Sequence, residues 1–150
     1  MTGMNFRQIL LALCLALASL APAVADTMEK RDLTITTSAG PQHFTVELAR
    51  TPEQRQRGLM YRQDLAADAG MLFIYASDGE IDMWMANTLL PLDMIFFAAD
   101  GRIIKVAERT VPLSEATIGS DGPARGVLEV NGGTASRLGI KVGDRLAYQP

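Results

Sequence analysis

Apolar and polar residues alternate along much of the chain, in short runs that are separated by turn-forming residues. Residues 33–37 and residues 44–48 each alternate in this way, and a Ser-Ala-Gly-Pro segment at 38–41 lies between them. A period of two places successive side chains on opposite faces of a strand. The pattern therefore predicts that these two runs form an antiparallel hairpin.

Six further strands are predicted from short apolar-rich runs that alternate with turn residues. They span residues 71–75, 81–85, 93–97, 103–109, 125–130 and 144–148. The run at 71–75 is apolar on both faces, which is typical of a central or covered strand. We expect the runs at 81–85 and 93–97 to pair as a hairpin inside the core. Asp100-Gly101 favours the positive φ of a tight turn and predicts a second hairpin.

The clearest helix signal begins at Thr51, which can cap a helix. Pro52 suits the first helical position, Gln54 completes a capping box, and Gly58 is expected to end the helix. A second short helical turn is expected to end at Gly139.

About eight strands and two short helices predict a mostly β protein. Their natural packing is a compact antiparallel β-sandwich or a partly closed barrel. Residues 110–123 form the longest irregular segment, and loops of that length are often either functional or simply mobile.

The first 25 residues have a different composition from the rest of the chain. Arg7 precedes an apolar run at 9–20, and a small-residue segment ends at Ala25, as in a secretory signal peptide. The apolar run is shorter than the ~20 residues that a membrane-spanning helix needs. We therefore predict cleavage after Ala25 and a periplasmic or secreted protein that leaves the membrane. A flexible arm at 26–31 would precede a single domain at 32–150.

Charge and cysteine content argue against several classes of protein. Removing Arg7 with the signal peptide reduces the 14 basic residues to 13, against 17 acidic ones, and no basic run remains. Nucleic acid and anionic membranes are therefore poor candidates for partners. The only cysteine, Cys14, lies in the predicted signal peptide, so we expect no disulfide, thiol nucleophile or Cys-ligated metal in the mature protein.

Residues 83–97 contain the only Trp, three of the eight Met residues and several polar residues among apolar ones. In one interpretation the side chains of Asn87, Thr88 and Asp93 bond to free backbone groups of the loop. In the other, Trp84, Asn87, Thr88 and Asp93 line a pocket in which a small polar ligand meets an aromatic wall.

Two further chemistries remain open. Asp93 and Glu129 would form the acid–base pair of an envelope hydrolase if they converged across a cleft. Met83 and Met85 would share one face of a strand and are weak candidates for binding Cu(I), which favours thioether ligands. The single histidine is far away in the sequence, and zinc, phosphate-loop and dinucleotide motifs are missing, so we expect no cofactor.

Four blocks of the sequence together resemble one known family. They are TPEQRQRGLMYRQDL at 51–65, GMLFIY at 70–75, MWMANTLLPLDMIFFAADGRI at 83–103 and VLEVNGGTASRLGIKVGDRL at 127–146. These blocks are similar to the DUF192 family, an uncharacterised bacterial and archaeal group that is often exported. The resemblance implies a compact, mostly antiparallel, jelly-roll-like sandwich with a small helix. It implies no activity, but it adds Glu129 to the polar residues that a pocket would use.

From the sequence we expect a small exported β-domain without catalytic activity, acting as a binding or accessory module of the cell envelope. Its partner would be a small ligand or an envelope protein. The candidate ligand-binding residues are Trp84, Asn87, Thr88, Asp93 and Glu129. A hydrolase that uses Asp93 and Glu129 is the second hypothesis, and a copper protein that uses Met83 and Met85 is the third.

Overall fold

The structure, a computed structural model, describes residues 28–148. The predicted signal peptide and the start of the predicted arm lie outside the described residues. The first strand begins at Lys30, so the last two residues of the predicted arm belong to that strand. None of the helices in residues 28–148 is long and apolar enough to cross a membrane.

Nine strands and two short helices make up the regular structure of residues 28–148. In chain order they are β1 (Lys30–Thr37), β2 (Gly40–Ala49), α1 (Pro52–Arg57), β3 (Ala69–Gly79), β4 (Asp82–Met83), β5 (Leu92–Phe97), β6 (Ile103–Thr110), β7 (Ile118–Gly119), β8 (Ala124–Asn131), α2 (Thr134–Leu138) and β9 (Arg145–Tyr148). The prediction of a mostly β protein with two short helices is therefore confirmed.

Seven of the strands form one mixed sheet in the order β6-β5-β8-β3-β2-β1-β9, and β4 pairs with β7 in a small second sheet. The sheet is mixed because β2 and β3 run parallel, whereas its other neighbours are antiparallel. Parallel neighbours need a crossover, and here the chain passes through α1 and the loop after it.

The predicted partly closed barrel is not confirmed, because the seven-stranded sheet does not close. Its two edges are linked only locally, where the turn before β6 meets the start of β9. There the Leu146 amide donates to the Gly101 carbonyl, and the Ile103 amide donates to the Asp144 carbonyl, both at 2.8 Å. The structure does not confirm the jelly-roll sandwich either, since a single mixed sheet forms the body of the domain.

Three of the predicted strand arrangements are confirmed. β1 and β2 form the first hairpin, with Leu33 opposite Phe44. β3 lies inside the sheet between β2 and β8. β5 and β6 form the Asp-Gly hairpin, and Gly101 has a φ of +80°.

The predicted hairpin of residues 81–85 and 93–97 is wrong. Regular structure in the first run is limited to β4, which pairs with β7 instead of β5. Between β4 and β5 the chain turns at Asn87, which has a φ of +55°. The Met85 amide then donates to the Ser114 carbonyl at 2.9 Å. The long segment predicted to be irregular therefore supplies the partners of this region.

Buried apolar side chains form one cluster on each face of the sheet. The Phe97 cluster includes Ile95, Phe97, Leu128 and Val130, and the Phe73 cluster includes Met71, Phe73, Met94, Phe96 and Val127. Neighbouring residues of β8 alternate between the clusters, as the period of a strand requires. The two faces therefore provide different surroundings for successive side chains of β5 and β8.

Candidate ligand pocket

A pocket of about 360 Å³ opens on the face of the sheet that carries the Phe73 cluster. We call it the Trp84 pocket. It lies between α1, the end of β3 and the β4 segment, and its lining includes Arg55, Gly58, Phe73, Tyr75, Asp82, Met83, Trp84, Thr88 and Glu129. Three of the five predicted ligand residues, Trp84, Thr88 and Glu129, therefore meet at one place.

Helix α1 forms one wall of the pocket, and local sequence signals fix its position. The Thr51 hydroxyl accepts a hydrogen bond from the Gln54 amide at 3.2 Å, and the Gln54 side chain accepts from the Thr51 amide. This is the predicted capping box, with Pro52 at the start of the helix. Gly58 ends the helix as predicted, and its amide donates to the Gln54 carbonyl.

Gly58 also fits closely against the aromatic lining of the pocket. Its φ is +47°, and an added Cβ would lie 3.1 Å from Cζ of Phe73. A side chain here would meet both backbone strain and crowding. Glycine therefore lets α1 end directly against the Phe73 ring.

Arg55 attaches α1 to the edge of β3 beside the pocket. Its Nη1 donates to the carbonyls of Arg50 and Ile74. Its guanidinium carbon lies 4.8 Å from the centre of the Tyr75 ring, within the range of a cation–π contact. Burial raises the pKa of Tyr75, and the nearby Glu129 charge acts in the same direction, whereas Arg55 lowers it.

Glu129 is the buried acid of the pocket lining. The residue is only 4% exposed, and its neighbours across the sheet are Met71 on β3 and Met94 on β5. Among residues 28–148 no hydrogen bond or ion pair reaches its carboxyl group. Burial raises the pKa of Glu129 to about 8, because the ionised form loses water without gaining a partner.

Trp84 is an exposed aromatic residue of the pocket lining. The residue is 53% exposed, although it is a large hydrophobic residue and the only tryptophan of the chain. Met83, immediately before it, also lines the pocket and is half-buried. An exposed indole beside a partly apolar hollow offers a stacking surface to a ligand.

Asn87 and Thr88 organise the loop that follows Trp84. The Thr88 hydroxyl donates to the Ala86 carbonyl at 3.2 Å. The Asn87 carbonyl accepts from the Tyr61 amide at 2.9 Å, and its side-chain amide contacts Sδ of Met60 at 3.9 Å. Asn87 is not part of the pocket lining, so its visible role is to join this loop to the segment after α1.

Asp93 lies outside the pocket and holds α2 in place. Its Oδ1 accepts from the amides of Arg109 and Gly133 at 2.8 Å, and its Oδ2 accepts from the Ala135 amide at 2.7 Å. The N-cap residue Gly133 has no side chain with which to cap α2. Asp93 supplies this cap from β5. The sequence interpretation expects it to bond to backbone groups of its own loop, not to a helix 40 residues away.

The two carboxylates of the hydrolase hypothesis point to opposite faces of the sheet. Glu129 on β8 pairs with Met94 on β5. The next pair along these strands is Val130 on β8 with Asp93 on β5. Since successive side chains of a strand alternate between faces, the sheet itself separates the two groups. They do not form an acid–base pair across one cleft.

The two methionines of the copper hypothesis are also separated. β4 ends at Met83, so Met85 does not continue the same strand. Met85 is fully buried, and its sulfur accepts a hydrogen bond from the Thr110 hydroxyl at 3.1 Å. In residues 28–148 no group of three His, Cys, Asp or Glu side chains could hold a metal ion.

Sequence reasoning missed the contributions of Arg55 and Tyr75 to the pocket. Both are brought to the site by the parallel pairing of β2 with β3, which places α1 over the end of β3. Nothing in the local pattern of either segment indicates that crossover. The only sequence signal for Tyr75 as a pocket residue is that it ends an apolar strand.

The fold and the pocket define a small, mostly β domain with one unpartnered buried acid at its candidate site. Residues 33–148 match the family model DUF192, described as "Uncharacterized ACR", and the chain belongs to this family. No curated protein matches the chain.

Two crystal structures resemble the domain closely. One is a protein from Sinorhizobium meliloti 1021 described as a candidate transcription regulator; it is 48% identical, with 81% of this chain and 95% of that chain covered, and a TM-score of 0.80. The other is a protein of unknown function from Novosphingobium aromaticivorans DSM 12444. It is 39% identical, the match covers 83% of this chain and 89% of that chain, and the TM-score is 0.80.

Proposed function

We propose that this protein is an exported, non-catalytic binding module of the cell envelope, and that the Trp84 pocket is its ligand site. The observation that carries the proposal is the convergence of Trp84 and Glu129 on one pocket from segments 45 residues apart. One side chain offers an exposed ring and the other an acid without a partner. A concave site with apolar walls and a few polar groups is typical of small-ligand binding.

A role without catalysis is supported by the chemistry of the pocket. Glu129 is the only buried acid in its lining, and the second candidate carboxylate, Asp93, is bonded to three backbone amides on the other face. The description of the S. meliloti protein does not extend easily to this chain. In residues 28–148 the longest helix has six residues, which is too short for a typical DNA recognition helix.

Ligand binding is tested by thermal-shift screening of amines, amino acids, sugars and carboxylic acids, with Trp84 fluorescence as the second readout. A compound that binds the pocket should raise the melting temperature and change the emission of the single tryptophan. Trp84→Ala should fold, with a stability change of less than about 1 kcal/mol, because the side chain is largely exposed. It should lose the thermal response.

The matched control is Val142→Ala, which truncates another exposed apolar side chain that does not line the pocket. This variant should keep the full thermal response. A folded Trp84→Ala protein that responds to every compound as the wild type does would remove the pocket from the proposal.

Export has its own test, which is the N-terminal sequence of the protein recovered from cells. We expect a mature chain that begins at Asp26 and is released with the periplasmic or culture fraction. A full-length chain that stays in the cytosol would contradict the exported role without affecting the pocket.

A further inference from the structure

Glu129 is a buried acid to which the described part of the chain supplies no partner. The residue is 4% exposed and lines the Trp84 pocket, and no hydrogen bond or ion pair reaches its carboxyl group in residues 28–148. We propose that the Trp84 pocket binds a small organic ammonium ion, with the Glu129 carboxylate as its counter-ion. This inference rests on the proposed function, since it names the ligand class of the same pocket.

The walls of the pocket favour a cation at this position. Phe73, Tyr75 and Trp84 are the aromatic residues of the lining, and Trp84 is the most exposed of them. The face of an aromatic ring attracts a positive charge, and the attraction grows when water is excluded. A carboxylate combined with aromatic surface therefore recognises an ammonium group better than a neutral or anionic one.

The other charged and titratable groups of the lining set a limit on the ligand's charge. Arg55 and Arg57 come from α1, Tyr75 from β3 and Asp82 from β4. Nη1 of Arg55 is already bonded to two backbone carbonyls, and Arg57 is exposed, so solvent screens its charge. Two arginines nevertheless disfavour a second positive charge, and we infer a ligand with a single cationic nitrogen.

Binding of such an ion releases a proton from the protein. Burial raises the pKa of Glu129 to about 8, so the free pocket holds the neutral acid at pH 7. The ammonium ion stabilises the carboxylate, and the proton passes to the solvent. Below about pH 8 the affinity for a cation should therefore rise by up to about tenfold per pH unit, and above that pH it should level off.

The test uses two pairs of compounds that have similar shapes and different charges. They are choline with 3,3-dimethyl-1-butanol, and benzylamine with benzyl alcohol. Choline keeps its charge at every pH, so any pH dependence of its binding comes from the protein. Titration calorimetry and Trp84 fluorescence would give the dissociation constants between about pH 6 and about pH 8.

We expect the cation of at least one pair to bind the wild type at least about tenfold more tightly than its neutral counterpart at pH 8. Glu129→Gln should abolish this preference and the pH dependence, with little loss of stability, because the carboxyl group has no partner to lose. The control Glu53→Gln changes an exposed acid of α1 that does not line the pocket, and it should retain both effects.

Two results would overturn the inference in distinguishable ways. If the neutral compounds bind as tightly as the cations, or Glu129→Gln leaves the preference intact, the ligand class is wrong while the binding pocket stands. If none of these compounds and none of the screened compounds changes the melting temperature or Trp84 fluorescence, the proposed function fails as well.

Discussion

At the scale of single residues, Glu129 ties the stability of the protein to pH. The folded protein holds its proton up to about pH 8, whereas the unfolded chain releases it near the ordinary value of 4.5. Between these values the native state binds more protons, so the free energy of unfolding should fall as the pH rises. The slope should reach at most about 1.4 kcal/mol per pH unit.

Urea unfolding of the wild type and of Glu129→Gln at several pH values isolates this contribution, because all other titrating groups are shared. The wild type should lose stability relative to the variant between about pH 4.5 and about pH 8, and the difference should be constant above that range. Parallel curves across the range would show that Glu129 ionises normally in the folded protein.

At the scale of elements, α2 depends on a cap that comes from a distant strand. Asp93→Ala would leave three amides without their acceptor, those of Arg109, Gly133 and Ala135. We expect a loss of about 3–5 kcal/mol in urea unfolding, because the acceptor is charged and fully buried. Asp93→Asn keeps one oxygen and should lose less.

The comparison is Thr51→Ala, which removes the local cap of α1. Its hydroxyl serves one amide in an exposed helix, so the expected loss is only about 1 kcal/mol. Equal losses for Asp93→Ala and Thr51→Ala would mean that α2 does not need the carboxylate of β5.

The two helices also show how far the sequence could predict this structure. The start of α1 is encoded within four residues, so the capping box could be recognised directly. The cap of α2 lies 42 residues from Ala135, and an aspartate in an apolar strand fits a cap, a ligand or a catalytic acid equally well. The sequence singles out Asp93 as a polar residue in an apolar strand. Its hydrogen-bond partners at the start of α2 follow only from the pairing of β5 with β8.

The same limit applies to the pocket and to the order of the strands. Trp84 and Thr88 could be singled out because polar or aromatic residues interrupt apolar runs, and the family resemblance adds Glu129 to them. Their convergence depends on the pairing of β4 with β7 and on the parallel pairing of β2 with β3. Strand periodicity determines which residues share a face, but it does not determine which strands are neighbours.

At the scale of the whole molecule, the two edges of the open sheet are held together where Gly101 meets β9. Gly101 has a φ of +80°, and an added Cβ would lie 2.2 Å from the Leu146 carbonyl oxygen. Gly139 has a similar φ of +69° but no atom within 4 Å of such a Cβ. Replacing each by alanine therefore imposes similar backbone strain and very different crowding.

Gly139→Ala should lose about 1 kcal/mol from its left-handed conformation alone. Gly101→Ala should lose at least about 2 kcal/mol more, because the methyl group displaces the start of β9 from the turn. Urea unfolding of both variants measures the difference directly. If Gly101→Ala and Gly139→Ala lose equal stability, β9 does not depend on the contact with Gly101. Its pairing with β1 alone then keeps β9 in the sheet.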